Sequence, residues 1–110
     1  MNYFPKFNIK EKETLRVEHQ KGMIRNSIEW FLREMQEELL KHLDRPGWKR
    51  EKWEYLLGRL EEETEELKTA LASFHTLRGE SGEYFKKKKQ IVKECADVAN
   101  FAMMIAHNHF

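Results

Sequence analysis

The stretch WEYLLGRLEEETEELKTALASF, residues 53–74, decides the fold. Trp53, Leu56, Leu60, Leu67 and Phe74 recur at helical steps, which puts them on one side of an α-helix. Glu63 falls inside that apolar stripe, and Glu66 follows it by three residues, so both carboxylates project from one face. An ionised carboxylate on a core-facing stripe is costly unless something positive meets it, and a metal ion is the usual answer.

The same arrangement returns near the C-terminus. Glu94 lies within a stripe made by Ile91, Val98, Phe101, Ala102 and Ile105, and Asp97 follows it by three. Upstream, Ile24, Ile28, Phe31, Leu32, Met35, Leu39 and Leu43 form a further helical pattern. It begins somewhere in 11–23 and is clear from Met23 to Leu43; whether Gly22 interrupts it is left open by the residues. Asp44-Arg45-Pro46-Gly47 is turn chemistry that ends this helix. The second helix is expected from about Glu51 to Thr76, with a break over Gly79–Gly82. The third is expected from about Glu83 almost to the C-terminus. The fold class is therefore all-α, a bundle of three long helices with room for a short N-terminal one. Residues 1–22 read as a partly helical lead-in and 23–110 as the domain.

Within the third helix, Val98, Ala99, Phe101, Ala102, Met103, Met104, Ile105 and Ala106 surround the axis. A helix apolar all round is buried all round, and two other helices in a chain of 110 residues do not easily cover it. This segment is expected at a subunit interface, in a homodimer or homotetramer.

Composition narrows the function classes. Hydrophobic residues are 40% and charged residues 35%, the balance of soluble amphipathic helices rather than disorder. A formal net charge of +1 gives no case for nucleic-acid binding. The most apolar stretch, Val98–Ala106, is too short to cross a bilayer, and the N-terminus lacks the apolar core of a signal peptide. Cys95 is the only cysteine, which excludes an internal disulfide and suits a reducing compartment; the expected location is cytoplasmic. Its setting favours a packed structural thiol over a reactive one.

Facing one another across an antiparallel hairpin, Glu63, Glu66, Glu94 and Asp97 bring four carboxylates together. All-oxygen ligands of that charge suit a hard divalent cation, Mg²⁺ above all where phosphates share the shell, with Mn²⁺ able to take the same ligands. Such a site polarises phosphorus and activates water. A solvated acidic face is the competing reading, and it is the one assigned to Glu61, Glu62 and Glu65. A di-iron centre requires Glu-x-x-His pairs, and none of His19, His42, His75, His107 or His109 has a Glu three positions before it.

Gly47-Trp48, then Leu60-Glu-Glu-Glu-Thr-Glu-Glu-Leu67 with Ala70, then Glu94-Cys-Ala-Asp97-Val-Ala-Asn100-Phe101 resemble the MazG-like all-α nucleoside triphosphate pyrophosphohydrolases over residues 23–106. That family's Glu-x-x-Glu, spacer, Glu-x-x-Asp signature lands on Glu63, Glu66, Glu94 and Asp97. The resemblance implies Mg²⁺-dependent cleavage of nucleoside triphosphates between the α- and β-phosphates, giving a monophosphate and pyrophosphate. It also implies a carboxylate that activates water, for which Glu63 is the choice. Relatives often carry Asn, Lys and Gly where this chain has His42, Arg45 and Pro46, a departure that bears on base or sugar preference.

Three further residues are candidates for substrate contacts. Lys93 stands one turn before Asp97, within reach of phosphate oxygens held at the acids. Asn100 follows Asp97 by three and suits a metal, phosphate or sugar contact; a buried amide joining helices is the competing role. Trp48 precedes the second helix, where it can stack on a base or staple the turn to the core, the staple being favoured. Lys86–Lys89 read as a solvated helix start, and Trp30 and Trp53 as packing residues. The leading expectation is a house-cleaning pyrophosphohydrolase acting on (deoxy)nucleoside triphosphates. Phosphoribosyl-ATP hydrolysis at the same kind of site and a non-catalytic helical oligomerisation module are the alternatives.

Overall fold

Gly22 does not break the first helix. In a computed structural model, which describes residues 9–42, 46–77 and 81–110, α1 runs without interruption from Ile9 to Leu40. It thus begins earlier than the apolar pattern suggests, because residues 9–22 are good helix formers rather than core formers. Pairs at helical spacing support that part: Arg16 lies 2.6 Å from Glu13, and Lys21 lies 3.5 Å from Glu18. A 3₁₀ helix over Pro46–Arg50 follows, then α2 over Trp53–His75 and α3 over Ser81–Asn108. Gly82 lies inside the first turn of α3 rather than in the break. Residues 1–8 of the lead-in, Leu43, Asp44 and Arg45 of the first stripe and turn, and Gly79 lie outside the described residues. Among the described residues there is no strand, and no helix is long and apolar enough to cross a membrane.

The chain divides into two compact units, Met1–Leu32 and Arg33–Phe110. In the first, most of the apolar stripe of α1 is exposed: Met23, Ile24, Ile28 and Leu32, with Leu15 before them, face solvent, Ile28 at 62%, while Phe31 is half-buried. Trp30 is exposed as well, contrary to the packing role its spacing suggests.

In the second unit α2 and α3 form an antiparallel hairpin. The pairing runs outward from the connection: Phe74 meets Tyr84 with ring centroids 5.1 Å apart, Lys87 donates to the hydroxyl of Ser73, and Arg59 lies 5.2 Å over the ring of Phe101. Rising numbers on one helix meet falling numbers on the other. Neither end of α2 depends on a side-chain cap: Lys52 precedes it in extended conformation, and the Thr76 amide donates to the Ala72 carbonyl at 3.2 Å. Trp53 is exposed and Leu56 carries the buried end of its stripe instead; Leu60, Leu67 and Phe74 are half-buried. Ala96 is wholly buried, a small side chain that lets the helices approach. Of the apolar segment Val98–Ala106, Met104 is buried, whereas Ala102 and Ala106 are exposed. So one face of that segment stays uncovered within the chain.

Among the described residues the buried apolar side chains are Leu56, Ala96 and Met104, and the buried polar ones are Glu38, Glu63, Glu94 and Asn100. An interior with more polar than apolar side chains is poor for stability alone. It is organised around the acids.

Candidate metal centre

Glu63 projects from the middle of α2 and Glu94 and Asp97 from the middle of α3, where the hairpin is best covered. Ligand oxygens of these three lie within 4.8 Å of one another. Opposite ligands of an ion with ~2.1 Å bonds stand ~4.2 Å apart, so a small closure brings the three into one coordination shell. Glu63 is 6% and Glu94 4% exposed, and each leaves one carboxylate oxygen, Oε2, buried without a hydrogen-bond partner. Two such orphans cost several kcal/mol in a neutral interior. A cation held between them removes that cost, which is the test the residues pass for a hard divalent ion.

Glu66 is more exposed and stands outside the trio, yet its carboxylate is a close neighbour of both buried glutamates. Burial first, then the neighbouring carboxylate of Glu66 and the charge of Asp97, push Glu63 up to about 7, against the opposing pull of Arg59. Glu94 is raised by burial as well, with Lys93 partly offsetting the effect. Half-buried Cys95 has its thiol pushed up by burial and by Glu94, as befits a packing residue rather than a nucleophile.

Lys93 occupies the acids from the α3 side, its Nζ 3.2 Å from Asp97 Oδ2 and 3.7 Å from Glu94 Oε1. Burial opposes its charge, but the bond to Asp97 and the charges of Asp97, Glu94 and Glu38 hold its pKa above the ordinary lysine value. Asn100 is buried and donates from Nδ2 to the Met35 carbonyl of α1 at 3.0 Å, while its Oδ1 has no partner. It joins the C-terminal part of α1 to α3. Trp48 is not brought to the acids. Its ring meets His107 edge-on at 5.2 Å and its carbonyl accepts from Asn108 at 2.9 Å. His107 is ten residues beyond Asp97, ~15 Å along the helix. This is the geometry of a staple.

Three residues around the site are not in the sequence-based set. Arg59 donates to Glu63 Oε1 at 2.9 Å and also to Glu62. Gln90 donates to Glu94 Oε1. Both stand four residues before the acid they hold, a spacing visible in the sequence. Glu38, buried on α1, is bonded to Lys41 at 2.7 Å and acts on Lys93. Its signal is the position three after Met35, within the first apolar stripe. Compared with known proteins, the chain matches no family model, no curated protein and no solved structure.

Proposed function

We propose that the chain is a Mg²⁺-dependent nucleoside triphosphate pyrophosphohydrolase of the MazG-like kind, serving to clear the cytoplasmic nucleotide pool. The observation that carries this reading is that Glu63 and Glu94 each bury an oxygen without a partner in carboxylates that converge with Asp97 to within 4.8 Å. The double acidic signature supports it, because the spacing within each pair sets both carboxylates on one side of their helix. Glu63, Glu94, Asp97 and, at the open side, Glu66 would hold the ion, with Mn²⁺ able to replace Mg²⁺. Bound there, the metal supplies charge neutralisation at the phosphates and a more acidic water.

The chain's own groups do the rest. Water attacks the α-phosphorus, the bond from that phosphorus to the α–β bridging oxygen breaks, and the products are a nucleoside monophosphate and pyrophosphate. Glu63 takes the proton of the attacking water. Lys93, on its flexible stem, moves from Asp97 to phosphate oxygens when substrate arrives. Asn100 sets the distance between α1 and α3 through its bond to the Met35 carbonyl, and its buried, unpartnered Oδ1 is the atom that would take a metal, phosphate or sugar contact. Trp48 anchors the start of α2 on the end of α3. A second copy of the chain covers the exposed part of the α1 stripe and the uncovered face of Val98–Ala106, making a dimer or tetramer; sizing in solution tests this, and a monomer refutes it.

Pyrophosphate release from a panel of nucleoside and deoxynucleoside triphosphates, with and without Mg²⁺, tests the activity. Turnover that requires Mg²⁺ and is lost in Glu63→Gln supports it. No turnover on any substrate, with Mg²⁺ affinity unchanged in Glu63→Gln, sinks it.

A further inference from the structure

The four lysines at 86–89 are not equivalent. Lys86, Lys88 and Lys89 are exposed, and Lys88 stacks over the ring of Tyr84 at 4.6 Å. Lys87 is half-buried, turns toward α2 and donates to the Ser73 hydroxyl. It lies at the far end of a groove of about 450 Å³ between α2 and α3, whose near end is formed by Glu66 and Glu94. Thr69 and Ser73 line the α2 wall, and Gln90 lines the α3 wall between Lys87 and Glu94. The groove also touches Glu65, but that carboxylate is held 2.9 Å from Lys68.

The groove is therefore polarised along its length, acidic at the metal centre and basic at Lys87. Lys87 precedes Glu94 by seven residues, two helical turns on the same face, or ~10.5 Å. A ligand with its inner phosphates at the acids and its outer phosphates further along needs a cation at about that distance. It also needs a donor in between, and the second amide proton of Gln90, whose first goes to Glu94, supplies one, whereas the Thr69 hydroxyl donates to the Glu65 carbonyl at 3.1 Å. Trp48 and the 3₁₀ helix lie at the opposite end of the hairpin, so the groove leads away from them.

We infer that this groove is the seat of the terminal phosphates: Lys87, assisted by Ser73, binds the β- and γ-phosphates of the substrate and then the pyrophosphate product. The inference rests on the metal-centre reading above and adds a residue to it. Lys87 makes a charge-assisted bond to a phosphate oxygen that is already neutralised in part at the acids. Ser73 holds the ammonium in the groove before the ligand arrives.

Calorimetric titration of the full chain with Mg²⁺ and with pyrophosphate in the presence of Mg²⁺ separates the two readings. Lys87→Ala weakens pyrophosphate binding by about tenfold, the loss of one charge-assisted bond. Lys87→Arg restores most of it, Lys88→Ala leaves it unchanged, and Lys87→Ala leaves the affinity for Mg²⁺ alone unchanged. Equal losses in Lys87→Ala and Lys88→Ala mean diffuse attraction by the lysine run and overturn the inference, as does an unchanged affinity in Lys87→Ala. If the wild-type chain takes up no Mg²⁺, the metal-centre reading fails. Pyrophosphate binding in chelator then decides the groove alone: loss in Lys87→Ala supports it, and no binding overturns it.

Discussion

Lys93 reaches one turn along α3 to Asp97, with Nζ 3.2 Å from Oδ2. The ammonium stands where a metal ion's charge is needed and is the internal counter-ion of the acidic cluster. A divalent cation entering the site competes with it. Lys93→Met is expected to bind Mg²⁺ about three- to tenfold more tightly, the effect of removing one partly screened charge at this range. The same variant is expected to lose affinity for nucleotide. Calorimetry for the ion and KM for the nucleotide check the two halves; weaker Mg²⁺ binding contradicts the counter-ion role.

Glu94 keeps its oxygen toward Gln90 in the variant Glu94→Gln but loses its buried charge. Lys93 is a weak partner at 3.7 Å and 41% exposed, so relief of the charge outweighs the lost pair. The metal-free variant should be more stable by about 1 kcal/mol, a rise in Tm of about 5 °C. Its Mg²⁺ affinity should fall at least about tenfold. A lowered Tm would show that the charge is already compensated.

Glu63, raised by burial and by Glu66 and Asp97, keeps its proton in the folded chain up to about pH 7, whereas the unfolded chain releases it near the ordinary glutamate value. Between about pH 5 and pH 7 the folded state thus binds more protons than the unfolded state. The contribution of Glu63 to stability is greatest at the acid end and falls as pH rises through about 7. Metal-free Tm is expected to decline across that window, and the decline to flatten in Glu63→Gln. Mg²⁺ binding near pH 7 should release a proton, read as a dependence of calorimetric heat on buffer ionisation enthalpy. Equal heats in all buffers would mean the site is already ionised.

Asn100→Ala removes the donor to the Met35 carbonyl and leaves a cavity between α1 and α3. A loss of about 2 kcal/mol in urea unfolding is expected. Asn100→Asp, which cannot donate and adds a charge beside Asp97, should be at least as damaging. Mild effects from both would show that the bridge is not needed to hold α1.

Gly22 sits in the interior of α1 with nothing within 4 Å of where a Cβ would lie. Gly22→Ala should stabilise the helix by about 0.5–1 kcal/mol, seen as higher helicity and Tm without loss of activity. A destabilised variant would mean that a second chain approaches the helix at this point.

Much of the molecule is legible in the order of residues because helix formation is local. Spacing alone separates three helices and sets Glu63, Glu94 and Asp97 on core-facing sides, since 3.6 residues per turn depends on nothing distant. It does not tell which apolar stripe finds a partner. Ile24 and Ile28 carry the same pattern as Leu56, yet they are bare while Leu56 is wholly buried, because coverage depends on what lies opposite. The register of α2 against α3 likewise lies beyond local spacing. That register leaves Glu66 at the rim while burying Glu63, turns Lys87 alone of four lysines into the groove, and carries Trp48 to His107 rather than to the acids. Faces come from the chain's own periodicity; neighbours come from packing, where burial and charge are decided between helices.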